Sequence, residues 1–330
     1  MGRPITNLLY WLGLAIFFLR LDGLVRWLGR SNVKVLLYHD IEAHESDYTA
    51  GLECTTRTDA FCAHLDWLRR HYDVISLDTL LAGNAPSKAA VITFDDGYHS
   101  VYRNAWPALR ERDMPATVYL ISSVVDNVAM VWVNELNYWL HAEPAFTRSV
   151  LERDAGVPAG LSVADVISHC RVHYEADRIT AALDQIRAVF PDAYQAAVVQ
   201  AQLYVSWDEV RAMQQAGMSF GNHTVTHPNL ERLSDEQQFA EFAGAQQTIA
   251  REIGPVATLA YPFGHHSRSS ADVAARAGLT SIGEVGGANR RLNPMAIGRT
   301  HIGDETVAGL FARLEVVEPI KARLRALGAG

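Results

Sequence analysis

Between residues 33 and 302, short runs of consecutive apolar residues alternate with stretches whose apolar positions recur every three or four residues. Val33–Tyr38 (VKVLLY), Ala89–Phe94 (AAVITF), Ala116–Ser122 (ATVYLIS), Met218–Gly221, Val256–Tyr261 and Leu279–Ile282 are the short runs. Their length and β-branched content predict strands buried on both faces. Thr58–His71 puts Phe61, Leu65 and Leu68 on one helical face, and Ser100–Arg112 does the same with Val101, Ala105, Ala108 and Leu109. Pro107 bends that second helix or sits in its first turn. Ser206–Glu209 and Ser234–Gln237 are capping boxes, in which the serine takes a backbone N–H three residues on and that residue's side chain reaches back. The helices they open stop near Gly217 and Glu252, and Ala271–Ala277 is a further short helix. Strand alternating with helix predicts an α/β fold with a mostly parallel sheet.

Three segments depart from this rhythm. Residues 124–204 are helical, irregular and rich in Ala, Gln and charge, and read as an insertion over one end of the sheet. Residues 303–330 read as a C-terminal helical segment. Leu8–Leu19 (LLYWLGLAIFFL) is apolar but too short to span a bilayer, which needs about 20 residues. Leu21, Leu24, Val25 and Leu28 continue it at helical spacing, with Arg20, Arg26 and Arg30 opposite. With Trp11 and Trp27, residues 1–32 suit an amphipathic helix that touches the membrane through residues 8–30. The alternative is a helix packed on the chain's own domain, as in a cytoplasmic protein.

Composition narrows the function. The 330 residues are 49% apolar and carry a net charge of −8 without a basic stripe, which argues against nucleic acid as a partner. Cys54, Cys62 and Cys170 have no metal-type spacing and read as idle thiols, although a Cys54–Cys62 bridge is conceivable.

The chemistry sits at strand ends. Thr93-Phe94-Asp95-Asp96-Gly97 closes one apolar run with two carboxylates. Strand alternation sends them to different sides, so that one can bind a cation while the other takes a proton. Asp-Asp-Gly is also an ordinary turn. His223 and His227, four apart in His-Thr-Val-Thr-His, can face one ion, with Asn222 and the threonines bonding the rings from outside. Pro228 keeps this segment from continuing as a helix. One carboxylate, two imidazoles and open positions describe a catalytic metal site rather than a closed structural one.

These motifs resemble those of the polysaccharide deacetylase family (carbohydrate esterase family 4, NodB-like). TFDDG is similar to its first motif, His-Thr-x-x-x-His to its second, and Leu259-Ala260-Tyr261-Pro262-Phe263-Gly264 to its third. The resemblance covers roughly residues 34–122 and 204–302. It implies a distorted, partial (β/α)7-type barrel and metal-dependent hydrolysis of an N-acetyl group from an amino-sugar glycan. It assigns Asp95 as general base, Asp96, His223 and His227 as ligands of one divalent ion, and the Phe263 N–H as an oxyanion donor. Zinc is the first choice for that donor set, and nickel and cobalt suit it too.

Two departures follow. The third motif commonly holds an arginine that orients the base, where this chain has Ala260; Arg299 is the candidate substitute. The general acid commonly stands in a leucine–x–x–histidine motif near the C-terminus. Here Leu36-Leu37-Tyr38-His39-Asp40 is the better match, which resembles the motif order of biofilm poly-N-acetylglucosamine deacetylases and nominates His39, with His301 as competitor. His265, His266, Trp132, Tyr138 and Trp139 are weaker candidates for sugar contact. Two rival functions remain: a deacetylase or deformylase of a lipid-linked amino sugar at the membrane, and an inactive carbohydrate-binding homologue, which Ala260 permits.

Overall fold

The computed structural model describes residues 3–286 and 289–328, and in it the apolar runs are strands that close into a ring. The strands are β1 (Lys34–Tyr38), β2 (Asp40–Glu42), β3 (Thr55–Arg57), β4 (Asp73–Val74), β5 (Ala89–Phe94), β6 (Ala116–Leu120), β7 (Ser219–Asn222), β8 (Thr258–Ala260), β9 (Ser281–Val285) and β10 (Ile297–His301). Seven form a parallel barrel in the order β1-β10-β9-β8-β7-β6-β5, and β5 pairs back onto β1. The ring is thus closed rather than partial. β4 lies along the N-terminal end of β5, and β2 and β3 form a separate parallel pair. These three strands, at two or three residues each, are too short for any periodicity to betray.

Alternation in β1 explains why its whole length is apolar. Leu36 and Tyr38 join the layer between barrel and helices, where the Tyr38 ring meets Phe61 at 5.2 Å and Phe94 at 5.8 Å. Val35 points inward to Val91, Tyr119, Ala260 and Ile297. Both faces are covered, so neither tolerates charge without a partner.

Two helices, α1 (Arg3–Phe18) and α2 (Asp22–Leu28), precede the first strand, and α3 (Thr58–His71), α4 (Leu77–Leu81) and α5 (Trp106–Arg110) follow strands. Upstream of α5, Val101–Ala105 forms a wide π turn, and Pro107 lies in the first turn of α5. A proline there cannot donate to the preceding turn, and the widened backbone accommodates it. The segment after β6 folds as α6 (Trp132–Ala142), α7 (Pro144–Asp154), α8 (Val163–Val172), α9 (Ala176–Val189) and α10 (Pro191–Ala201), around a core of its own that includes Trp139, Ile167 and Ile186. The chain re-enters the barrel through α11 (Trp207–Gln215), α12 (Asp235–Ile253) and α13 (Ser270–Arg276), and finishes with α14 (Val307–Phe311) and α15 (Glu318–Gly328). Capping boxes open α11 and α12. All three cysteines are free.

One face of α1 is docked. A Cβ at Gly13 would come within 2.5 Å of the Ala312 Cβ, and the Phe17 ring meets Phe311 at 5.6 Å. The other face is bare: Leu8 and Trp11 are each 68% exposed and Phe18 is 74% exposed. α2 follows at 116° and exposes Leu24, Trp27 and Leu28. No single described helix is long and apolar enough to cross a membrane.

Beneath the barrel Lys34 donates to Glu315 at 2.9 Å and to the Leu314 carbonyl at 3.2 Å, and Tyr72 also donates to Glu315. The Lys34 and Glu315 side chains are 3% and 1% exposed. Glu315→Ala strands a buried ammonium and should cost about 3–5 kcal/mol in urea unfolding, whereas Lys34→Met with Glu315→Leu should recover most of that loss.

Candidate active site

β5 stops at Phe94, and the next residues leave extended geometry. Asp96 and Gly97 both have φ of 71°. A side chain at Gly97 would also meet Leu120 at 2.9 Å, so glycine is required twice over. Strand alternation, which sends Asp95 and Asp96 to different sides, does not hold here, because the strand ends before them. The left-handed turn swings Asp96 back beside Asp95. Their carboxylates stand 3.2 Å (Asp96 Oδ1) and 3.8 Å (Asp95 Oδ2) from the same His223 Nε2.

β7 carries the chain to His223, where it coils through positive φ at Thr224 and His227. Asn222 accepts from the Thr224 N–H at 2.8 Å, Thr224 Oγ1 from the His227 N–H at 3.0 Å, and Glu241 on α12 from the N–H groups of Val225 and Thr226 at 2.8 and 2.9 Å. These groups shape the backbone and do not reach the rings, contrary to the expectation for Asn222 and the threonines. Instead the Ala260 carbonyl accepts from His223 Nδ1 at 2.9 Å. A carbonyl partner puts the hydrogen on Nδ1 and leaves Nε2 with a lone pair facing inward.

Asp96 Oδ1, His223 Nε2 and His227 Nε2 lie 3.2, 3.2 and 3.3 Å from one another. Ligands about 2.1 Å from one tetrahedral ion stand roughly 3.4 Å apart, so the spacing suits a divalent metal. Buried Asp96 Oδ1 has no hydrogen-bond partner, as a vacant ligand atom would not. Burial pushes the His227 imidazole down to about 3, which keeps it neutral and able to ligate. Burial raises the Asp96 carboxyl, but His227 and His223 outweigh it and hold the group below the usual carboxylate range.

Arg299, on β10, is 1% exposed and grips Asp95 with both ends of its fork, Nη1 to Oδ1 at 2.6 Å and Nη2 to Oδ2 at 2.8 Å. Burial again pushes the Asp95 carboxyl up, and Arg299 with His223 brings it below its ordinary value. The guanidinium lies 5.1 Å from the Tyr119 ring. It fits only because position 283 is glycine, where a Cβ would come within 2.6 Å of Arg299 Nε.

Both acid candidates reach this cavity. His301 on β10 is registered against Leu37 on β1, and its ring lies 5.3 Å from that of His39. Burial lowers both imidazoles, His301 to about 3. His39 also faces the carboxylates of Asp96 and Asp95, which pull its pKa back up. Asp40 is engaged elsewhere, accepting from Thr55 at 2.9 Å and Ser100 at 2.6 Å.

The Phe263 turn covers the other side. Its backbone has φ of 57°, and the bonds that close the turn run from Gly264 to Tyr261 and from His265 to Pro262, so neither uses the Phe263 N–H. The Phe263 ring lies 4.4 Å from that of His227 and 5.8 Å from that of Trp132, whose indole donates to the His227 carbonyl at 3.0 Å. His39, Asp95, Asp96, His223, His227, Phe263 and His301 line a cavity of about 250 Å³. His265 and His266 stand outside it, near Glu231 and Glu284. Tyr138 stacks on Tyr48, and Trp139 is buried in the insertion's core. Arg171, Glu53 and Tyr98 line the cavity without belonging to any motif.

A sequence profile of the polysaccharide deacetylase family matches residues 82–282. The poly-β-1,6-N-acetyl-D-glucosamine N-deacetylase of Escherichia coli (strain K12) is 32% identical over 98 residues, which make up 28% of this chain and only 14% of that protein's length. The structure of the Streptococcus pyogenes deacetylase PplD in complex with acetate matches with a TM-score of 0.57 at 19% identity, covering 86% of this chain and 98% of that one. IcaB from Ammonifex degensii matches with 0.57 at 17% identity, covering 86% and 97%. Likeness at such identities is a likeness of fold.

Dialysed against one equivalent of Zn²⁺, the wild-type chain should retain one ion by elemental analysis. Asp96→Ala and His223→Ala should retain none, and Asp95→Asn should retain it. Metal loss from Asp95→Asn would make Asp95 a ligand.

Proposed function

This chain belongs to the polysaccharide deacetylase family, and on that premise we propose that it hydrolyses the N-acetyl group of an amino-sugar glycan, releasing acetate and a free amine. One observation carries the reading: a carboxylate held by Arg299 and kept off the ligand set stands 3.8 Å from a histidine of that set. Binding alone has no use for a free, fixed base, which weighs against an inactive carbohydrate-binding homologue.

Asp96, His223 and His227 would hold the divalent ion, zinc first by donor type, with nickel or cobalt as substitutes. When bound, it supplies Lewis acidity toward the acyl oxygen and acidifies a water. Asp95 takes the proton of the attacking water, and Arg299 keeps that carboxylate ionised and in one rotamer. The Phe263 N–H donates to the acyl oxygen as it becomes an oxyanion. His39, or His301 beside it, protonates the departing nitrogen, because an amine leaves poorly without a proton.

A lipid-linked amino sugar is the second reading of the substrate. The bare apolar face of α1 and α2, bordered by Arg20 and Arg30, favours it, since such a face suits the headgroup region. The enzyme would then be peripheral to the membrane. Trp11→Ser, Phe18→Ser and Trp27→Ser remove exposed rings without touching the docked side. The wild type should float with anionic vesicles and the triple variant should not, and equal flotation would sink the idea.

Acetate release from β-1,6-linked N-acetylglucosamine oligomers should stop on chelation and return with Zn²⁺. Asp95→Asn should abolish it. His39→Ala should keep the metal and lose about 10²–10⁴-fold in kcat. If His39→Ala stays active while His301→Ala is dead, the acid belongs to β10.

A further inference from the structure

We propose that Arg171 binds an anionic group, a carboxylate or a phosphate, carried by the substrate next to the acetamide that is cleaved. The proposal rests on the deacetylase reading and adds the charge of the substrate to it. Arg171 comes from the last turn of α8, inside the helical insertion. Its guanidinium carbon stands 4.5 Å from the Phe263 ring, which also lies against the imidazole of His227. The arginine therefore lies one ring beyond the metal-ligand cluster and lines the same cavity.

Its position is built rather than accidental. Buried Asn229, two residues past His227, donates to the Arg171 carbonyl at 2.8 Å, and Arg232 donates to the Val172 carbonyl at 2.9 Å. The loop that carries a metal ligand thus also fixes the end of α8. The guanidinium itself has no partner: among the described residues no carboxylate lies within 4 Å of it, and it donates no hydrogen bond. Other guanidinium groups with little exposure are paired, Arg299 with Asp95, Arg112 with Asp66 and Arg26 with Asp22. Leaving planar donors half-buried and unused costs free energy that an incoming anion would recover. Burial lowers the Arg171 pKa, as expected for a cation short of a counter-charge.

Charge balance points the same way. Arg299 neutralises Asp95, and a divalent ion more than neutralises Asp96. The remaining charges on the cavity wall are Arg171 and, at the exposed rim, Glu53. A guanidinium fork matches carboxylate and phosphate oxygens two at a time. An acidic sugar within a glycan would present the first, and a sugar linked to a lipid carrier the second.

The test compares the zinc-loaded wild type with Arg171→Gln and Arg171→Lys on three probes. These are a neutral β-1,6-linked N-acetylglucosamine oligomer, a disaccharide containing N-acetylmuramic acid, and N-acetylglucosamine joined by a diphosphate to farnesol. Wild type should favour at least one anionic probe, and which one names the source of the charge. In Arg171→Gln the ratio of anionic to neutral kcat/KM should fall about 10–100-fold, mainly through KM. Arg171→Lys should recover part of it. Calorimetric binding of N-acetylglucosamine 1-phosphate against N-acetylglucosamine reads the same preference without turnover, and zinc content with thermal midpoint reports folding. Equal losses on neutral and anionic probes would overturn the proposal, as would a wild type indifferent to charge in turnover and binding. A wild type that binds the phosphate through Arg171 yet releases no acetate from any probe would overturn the deacetylase reading instead.

Discussion

A carboxylate sealed inside a barrel stays charged only if a cation is brought to it, and much of this molecule's interior is arranged around that requirement. Arg299 crosses the barrel to reach Asp95, and its passage constrains the strands beside it. Position 283 must be glycine to clear Arg299 Nε. Tyr119 lies along the guanidinium and donates or accepts with Thr258 at 2.9 Å. Tyr119 in turn needs a glycine at 221, where a Cβ would meet its ring at 2.6 Å. One ion pair thus sets residue types on β6, β7, β8 and β9.

The same pair separates two neighbouring aspartates that would otherwise be alike. Asp95 spends both oxygens on Arg299, while Asp96 Oδ1 remains open toward His223 and His227. Backbone geometry contributes as much as charge, because the left-handed turn at Asp96 puts both groups into one cavity. Different surroundings for adjacent residues come from their partners here, not from pointing to opposite faces.

Legibility in the sequence follows locality. The α/β alternation could be read because helix and strand periods are local, and the Asp-Asp-Gly and His-x-x-x-His spacings because each is one strand end. Arg299 could be nominated only because Ala260 left a vacancy. The turn at Asp96, the clearances at Gly221 and Gly283 and the role of the Ala260 carbonyl depend on chain segments far apart in sequence, and no local pattern encodes them. Arg171 lies in an insertion outside every motif. α1 admitted two readings because it has two apolar faces, one docked against Ala312 and Phe311 and one bare.

The separation of Arg299 from Asp95 along the chain has a kinetic consequence. They are 204 positions apart, and β10, which carries Arg299, closes the ring against β1. The entropy of joining such distant segments must be met before their contact gives anything back. During synthesis β1 and β5 through β9 emerge first, with Asp95 lacking its counter-charge. A desolvated, unpaired carboxylate is expensive, so the unfinished barrel has to stay wet around it. Water leaves the interior only when the last strand docks, and the Asp95–Arg299 pair is completed in that same event. Nascent chains of this topology therefore carry an unpaired Asp95 until closure, however complete the loops that hold Asp96, His223 and His227 already are.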